Sequence, residues 1–398
     1  MEINVTLRAL FNSSLAALAA VLLASPASAA DTTGITDTTI KIGIPGPFTG
    51  NASSYSKAEI GLDAYYKWIN DQGGIHGRKF ETILEDYACA EAKGIAAAKK
   101  LIYQDKVFML HGNSCSAVAM AMKPTIVEAG VPWVVAHAVN DKISSPPTKN
   151  IFHGVPVGGT YGLAMAKFVM SKPGTKTVAI IQHSNDWANS YCKPAKEYMA
   201  SKGIKPAIET TLERGQTDAT PQVLQIRQLK PDFVIACLYE AETAIFLNDM
   251  RKYNVSVPVM GTAGTDLENT LKRVGDLETV KNYFVPHNYV DNTEGPRMKK
   301  WNDIILKYYP KETITGFSAI SMGSAVAVVE ALKRVGRDLT REKFLAEMDK
   351  TKDFDTGILA GKITWSATDR DGVKEAAVAG FVNGKPTVLK SWGEPLFK

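Results

Sequence analysis

The sequence lacks the short motifs that build the common catalytic centres. It contains no G-x-S-x-G turn, no H-E-x-x-H helix, no G-x-G-x-x-G after a strand and no calcium loop of the EF-hand type. Its 6 histidines occur singly, so a nucleophile, a base and an oxyanion hole cannot be placed together at a credible spacing. We therefore do not expect an enzyme, and no pattern indicates a cofactor or a metal site.

Charge and hydropathy exclude two further classes. The formal net charge is +5, and the basic residues are scattered rather than arranged in a stripe, so no nucleic-acid-binding face is expected. After residue 30 we find no stretch long and apolar enough to span about 30 Å of hydrocarbon. With 45% hydrophobic and 22% charged residues, the composition is that of a globular protein.

Residues 1–30 have the pattern of a cleavable export signal. Arg8 precedes an apolar run at 15–23, and the small residues Ala27 and Ala29 follow it. The run is too short for a membrane span, and small side chains at its end are those that signal peptidase accepts. We predict cleavage near residue 30 and a periplasmic protein.

Cysteine is scarce and its spacing excludes zinc ribbons and thioredoxin-like centres. None of the 4 cysteines belongs to a C-x-x-C pair, and an even number in an exported chain favours disulfides. Closing the loop from Cys89 to Cys115 would contribute on the order of 3 to 4 kcal/mol in the chain-entropy model. Cys192 and Cys237 fit a second bridge or two buried thiols, and the sequence leaves both open.

Short β-branched runs alternate with helical periods along the rest of the chain, which is typical of parallel sheets covered by helices on both faces. A glycine-rich segment at 154–159 separates two such series, so we predict an α/β fold of two Rossmann-like lobes, each with its own parallel sheet. Late helices are expected at 297–309, 317–335 and 340–349, and late strands at 361–364 and 376–382.

Ser114 and Ser116 lie between a predicted strand and a predicted helix. In parallel α/β sheets, ligands bind beyond the carboxyl ends of the strands. A helix start there presents N–H groups and the positive end of the helix dipole to an anion such as a carboxylate. Either serine could instead only cap the helix, and the sequence leaves both roles open.

At these residues the chain resembles a known family. Segments 86–89 and 113–116 resemble the two cysteine motifs of the branched-chain amino-acid family of periplasmic binding proteins, which serve ABC importers. Segment 46–50 with Tyr55, and segment 73–77, resemble the opening pattern of that family. The resemblance extends over essentially all of the mature sequence.

The resemblance implies the type I binding-protein fold, in which a three-strand hinge joins two lobes that close around a small solute. Lobe 1 is expected to comprise 38–156 and 288–376, and lobe 2 to comprise 157–287 and 377–398. It also implies a Cys89–Cys115 disulfide beside the ligand, a permease of the inner membrane as partner, and a monomer. An exported sensor domain that signals to a membrane receptor is the alternative function, because the same fold serves both.

Candidate ligand-binding residues come from the strand-end loops and from the resemblance. They are Tyr55, Ser114, Ser116, His137, Ala138, Val139, Trp187, Tyr191, Tyr239 and Ala263.

Two departures from the family pattern bear on the solute. Val139 stands where amino-acid-binding relatives have a threonine, and Ala263 where they have an acid that pairs with the ammonium group. Asp266 and Glu240 are close enough in sequence to substitute for that acid. Because a buried ammonium without a carboxylate is costly, we predict an aromatic carboxylic acid first, a hydrophobic amino acid second and a short amide third. The aromatic side chains expected to surround it are Phe48, Tyr55, Trp187, Tyr191, Tyr239 and Tyr289.

Overall fold

The computed structural model describes residues 31–289, 291 and 294–390. The predicted export signal at 1–30 and the end of predicted lobe 2, 391–398, lie outside the described residues. Within the described chain, twelve strands form two separate sheets. The α/β fold with two lobes that the alternating pattern predicts is confirmed.

The strands are β1 (Thr39–Gly46), β2 (Lys79–Asp86), β3 (Met109–Gly112), β4 (Trp133–Val135), β5 (Ile151–His153), β6 (Val178–Gln182), β7 (Ile208–Thr211), β8 (Phe233–Cys237), β9 (Val259–Met260), β10 (Tyr283–His287), β11 (Ala377–Val382) and β12 (Lys385–Lys390). The α-helices are α1 (Lys57–Asp71), α2 (Glu91–Lys99), α3 (Ser116–Ala129), α4 (Gly158–Ser171), α5 (Asp186–Ser201), α6 (Thr220–Leu229), α7 (Glu240–Lys252), α8 (Leu267–Val274), α9 (Leu277–Val280), α10 (Lys299–Tyr308), α11 (Gly316–Val335) and α12 (Arg341–Met348). Short 3-10 turns occur at Ser53–Ser56, Asp141–Ile143 and Pro296–Met298, and a π-helical turn at Lys100–Gln104.

Both sheets are mainly parallel. The first has the order β2-β1-β3-β4-β5 with every pair parallel. The second has the order β12-β11-β10-β9-β8-β6-β7, in which β6 to β10 are parallel and β11 and β12 add an antiparallel edge. Parallel pairing brings the carboxyl ends of the strands to one edge of each sheet, where loops lead into helices.

Each sheet has a hydrophobic core on both faces. In β6, Val178 and Ile180 belong to one core while Ala179 and Ile181 belong to the other. Successive side chains of a strand point to opposite faces, so a fully buried run such as this one marks a strand that helices cover on both sides.

The chain passes between the sheets three times: after β5, after β10 and before β11. The crossing segments are bonded to each other, since the Gly372 N–H and the Trp365 indole N–H both donate to the His153 carbonyl, at 3.0 and 2.7 Å. The lobe boundaries predicted at residues 156, 287 and 376 fall in these segments and stay predictions.

Two expectations about the late part of the chain are wrong. Segment 361–364 forms no strand; Ile363 makes only an isolated bridge with Phe354. Contrary to expectation, helix α11 has the length and the apolar composition needed to cross a membrane. However, 83% of an apolar 18-residue stretch within it is buried inside the protein. It packs against α1 so closely that a Cβ on Gly61 would come within 2.7 Å of the Ser318 carbonyl oxygen, which identifies it as a core helix.

Candidate functional site

A cavity of about 840 Å³ lies between the two lobes, bordered by loops at the carboxyl ends of strands from both sheets. All the candidate ligand residues except Ala138 border it: Tyr55, Ser114, Ser116, His137, Val139, Trp187, Tyr191, Tyr239 and Ala263. The Ala138 side chain does not line the cavity, because its N–H donates to the Asn113 carbonyl and its carbonyl accepts from His153, which hold it in the loop behind.

Ser116 is the first residue of α3 and holds the neighbouring loop in place. Its Oγ accepts the backbone N–H groups of Val139 and Asn140 at 3.2 and 3.3 Å, which leaves its hydroxyl proton available for donation. The N-cap residue is Cys115, and no side chain caps the helix. The capping alternative for the two serines is therefore wrong. The N–H groups of the first turn have no partner within the helix, and Ser116 and Ala117 of this turn border the cavity.

Ser114 contacts a buried carboxyl group rather than the helix. Its hydroxyl donates to Glu59 Oε1 at 2.8 Å, and the Tyr87 hydroxyl accepts its N–H at 2.9 Å. Burial raises the pKa of Glu59 to about 8, against the hydrogen bond from Ser114, which lowers it. Glu59 Oε2 has no hydrogen-bond partner among the described residues. A group with this pKa is largely protonated at neutral pH, so Glu59 adds little negative charge beside the helix start.

His137 presents a neutral imidazole to the same part of the cavity. Burial lowers its pKa to about 4, although a hydrogen bond with the Ser114 backbone opposes the shift. Its Nδ1 lacks a partner within the described part of the chain. The first-lobe wall therefore combines uncharged polar groups with a helix start, which suits a single anionic group of a solute.

The second-lobe wall is aromatic. The Trp187 and Tyr239 rings stack with centroids 4.1 Å apart, and Tyr191 meets Trp187 edge to face at 5.1 Å. Buried His183 fixes the position of Tyr239: its Nε2 accepts the Tyr239 N–H at 2.9 Å, while Nδ1 donates to the Leu212 carbonyl at 2.6 Å. These rings offer a flat apolar surface opposite the helix start.

A disulfide fastens each of the two walls. The predicted bridge between Cys89 and Cys115 is present, and it ties the loop after β2 to the start of α3. Cys192 and Cys237, whose state the sequence leaves open, are also bridged. This second bridge joins α5, which carries Trp187, to β8, which leads into the loop that carries Tyr239.

The two walls contact each other directly. The Tyr55 hydroxyl of the first lobe donates to the Gly264 carbonyl of the second at 3.1 Å, and Lys142 forms an exposed ion pair with Asp186 at 2.8 Å. These two contacts join the lobes directly.

Two arginines that no sequence pattern singled out also border the cavity. Arg273 lies in the last turn of α8, and Arg214 lies in the loop after edge strand β7, with its guanidinium 5.8 Å from the Tyr239 ring centroid. Glu240, the first residue of α7, borders the cavity with Arg273 Nε 3.5 Å from its Oε2. Of the two arginines, Arg214 follows a strand end and Arg273 does not, so the strand-end rule would have found Arg214 but not Arg273.

Three other residues considered from the sequence lie outside the cavity lining. Phe48 and Tyr289 do not border it, and Asp266 caps α8 by accepting the Asn269 N–H at 3.0 Å. Tyr289 and Asp266 instead border a separate small cavity of about 30 Å³ beside the crossing segments. Among the described residues, no group of His, Cys, Asp and Glu side chains could hold a metal ion.

Comparison with known proteins places the chain in a family. A model described as periplasmic binding protein matches residues 39–385. The chain belongs to this periplasmic binding protein family, as its motifs suggested. The leucine-, isoleucine-, valine-, threonine- and alanine-binding protein of Pseudomonas aeruginosa is 26% identical over 262 residues, which is 66% of this chain and 68% of that protein.

Solved structures share the fold. One is the branched-chain amino acid substrate-binding protein LivJ of Streptococcus pneumoniae in complex with isoleucine. The two structures superpose with a TM-score of 0.78 at 23% identity, and the match covers 89% of this chain and 100% of the LivJ chain. A solute-binding protein of R. palustris in complex with benzoate gives a TM-score of 0.76 at 22% identity, over 89% and 96% of the two chains.

Proposed function

We propose that this protein is the extracytoplasmic solute-binding component of an ABC importer and that it captures a small carboxylate between its lobes. Membership of the periplasmic binding protein family supports the general role. The observation that carries the finer proposal is the opposition of two walls: the uncapped start of α3 with Ser116 on one side, and the stacked rings of Trp187 and Tyr239 on the other.

An aromatic acid suits both walls. Its carboxylate would accept hydrogen bonds from the Ser116 hydroxyl group and from the first-turn N–H groups of α3, an arrangement that the helix dipole favours. Its ring would lie against Trp187 and Tyr239, where burial and stacking stabilise it. Val139 and Ala263 bring no partner for an ammonium group, and the benzoate complex of a similar protein is consistent with such a solute.

A hydrophobic amino acid is the second candidate, and one observation favours it. Glu240 borders the cavity with a carboxyl group that could pair with an ammonium. The isoleucine complex of LivJ and the amino-acid-binding relative are consistent with this alternative.

Capture would proceed by closure of the lobes. Contacts such as that of Tyr55 with Gly264 form only in the closed state, and a solute that touches both walls adds to them, so it shifts the population toward closure. We propose that the closed protein acts as a monomer in the periplasm and delivers its solute to a permease of the inner membrane.

Isothermal titration of the purified protein with benzoate, cinnamate, leucine, isoleucine and valine tests the solute. We expect an aromatic acid to bind most tightly, and a thermal-shift series at equal concentrations to give the same order, because stabilisation follows RT ln(1 + [L]/Kd). Tightest binding of leucine or another α-amino acid, with none of the aromatic acids bound, would overturn the aromatic-acid proposal.

A further inference from the structure

Glu240 is the most conspicuous polar group that the carboxylate proposal leaves unused. It borders the main cavity, only 3% of its surface is exposed, and neither of its carboxyl oxygens has a hydrogen-bond partner among the described residues. A buried carboxyl group without hydrogen bonds is unfavourable unless another molecule completes it.

Its neighbours compensate it only in part. The Arg273 guanidinium is 3.5 Å from Oε2, but the Arg273 side chain is 44% exposed, so solvent screens this attraction. The like charge of Asp266 raises the pKa of Glu240, while the Asp266 backbone and the Asn269 side chain, which approach the carboxyl group without meeting hydrogen-bond geometry, lower it. With burial as the largest cause, the pKa of Glu240 rises to about 7.

The position of Glu240 suits contact with a solute. It directly follows Tyr239, and both residues border the cavity. Burial raises the pKa of the Tyr55 hydroxyl group in the opposite lobe; the nearby Glu240 charge raises it further, while the Glu240 backbone opposes the shift. A solute enclosed between the lobes therefore borders both the aromatic wall and Glu240.

We propose that Glu240 is a specificity-determining residue that accepts a hydrogen bond from a donor group on the solute, away from the solute carboxylate. This inference rests on the proposed function, since it concerns the same cavity. The donor is a hydroxyl group on an aromatic acid or the ammonium group of an amino acid. Either group can donate the hydrogen bond that the Glu240 carboxyl group does not receive from the described residues. A solute without such a donor leaves the carboxyl group unpaired, and sites built for a hydrogen bond discriminate strongly against analogues that lack it.

Calorimetry on the full mature chain with benzoate, 3-hydroxybenzoate, 4-hydroxybenzoate and leucine tests the proposal. For the wild-type protein we expect at least one donor-bearing solute to bind about tenfold or more tightly than benzoate. In Glu240→Leu this preference should disappear while benzoate affinity is retained or improved, because the variant removes the acceptor and the unpaired carboxyl group together.

Glu240→Gln distinguishes a hydroxyl donor from an ammonium donor, and it keeps the test available if Glu240→Leu does not fold. The amide oxygen still accepts from a hydroxyl group, so a hydroxybenzoate preference should persist, whereas a preference based on ammonium should be lost with the charge. Unchanged ratios of every donor-bearing solute to benzoate in both folded variants would overturn the role of Glu240. Absence of binding of all four solutes to the wild-type protein would instead overturn the choice of solute in the proposed function, and this inference with it.

Discussion

Removal of the Ser116 hydroxyl group tests two roles that the structure assigns to one atom. In Ser116→Ala, the N–H groups of Val139 and Asn140 lose their acceptor, and a bound carboxylate loses a donor. The two contacts are long, at 3.2 and 3.3 Å, so each should contribute near the low end of the range for a buried unsatisfied donor. We expect the free energy of unfolding to fall by about 2 kcal/mol.

The loss in affinity should be separate from the loss in stability. A hydrogen bond to a charged group contributes about 1.5 to 3 kcal/mol, which corresponds to roughly tenfold to hundredfold weaker binding of the carboxylate. Calorimetry with the tightest acid of the panel measures the affinity, and urea unfolding without solute measures the stability. Ser54→Ala provides a matched control, because Ser54 also borders the cavity but is not bonded to the loop of Val139.

The combination of results decides the role of Ser116. Reduced stability with unchanged affinity would show that the hydroxyl group only supports the loop, and would refute the donor role. A similar loss of affinity in the control variant would show that the effect is not specific to the helix start.

Three further predictions concern the lobes and their stability. Tyr55→Phe removes the hydrogen bond to Gly264 between the lobes, so solute affinity should fall by about 0.5 to 1.5 kcal/mol while urea unfolding is nearly unchanged; calorimetry showing equal affinity would contradict this. The double variant Cys192→Ser and Cys237→Ser opens a loop with a sequence separation of 45, and the chain-entropy model predicts a loss of about 4 kcal/mol; an unshifted melting temperature would contradict it. Burial raises the pKa of Glu59 from 4.5 to about 8, so between these pH values the folded state retains a proton that the unfolded state releases. The stability that this group contributes is therefore present below about pH 4.5 and is lost as pH rises toward 8. Glu59→Gln should therefore flatten the fall in stability between pH 5 and pH 8.5, and identical pH slopes for variant and wild type in urea unfolding would contradict the assignment.

The alternation of strands and helices was enough to predict the two lobes, and together with the family resemblance it selected nine of the residues that line the cavity. Candidates such as Trp187 and Ser116 follow strand ends in the sequence, and parallel pairing carries all such ends to one edge of a sheet. Arg273 escapes this rule because it lies in the last turn of α8, and only the packing of that helix brings it to the cavity.

Other features depend on distances that a sequence does not contain. Ser116 bonds to the loop after β4 instead of capping its own helix, which requires the position of that loop in space. Cys192 and Cys237 meet because β6 and β8 are neighbours, although β7 lies between them in the chain. Segment 361–364 has a strand-like composition but no neighbouring strand to pair with beyond one bridge.

The most direct test of the account is a crystal structure of the protein with the aromatic acid that binds most tightly. We predict a carboxylate oxygen within hydrogen-bond distance of Ser116 Oγ and of the first-turn N–H groups of α3, with the ring against Trp187 and Tyr239. A carboxylate bound to Arg214 or Arg273, with the ring directed toward the start of α3, would contradict the account.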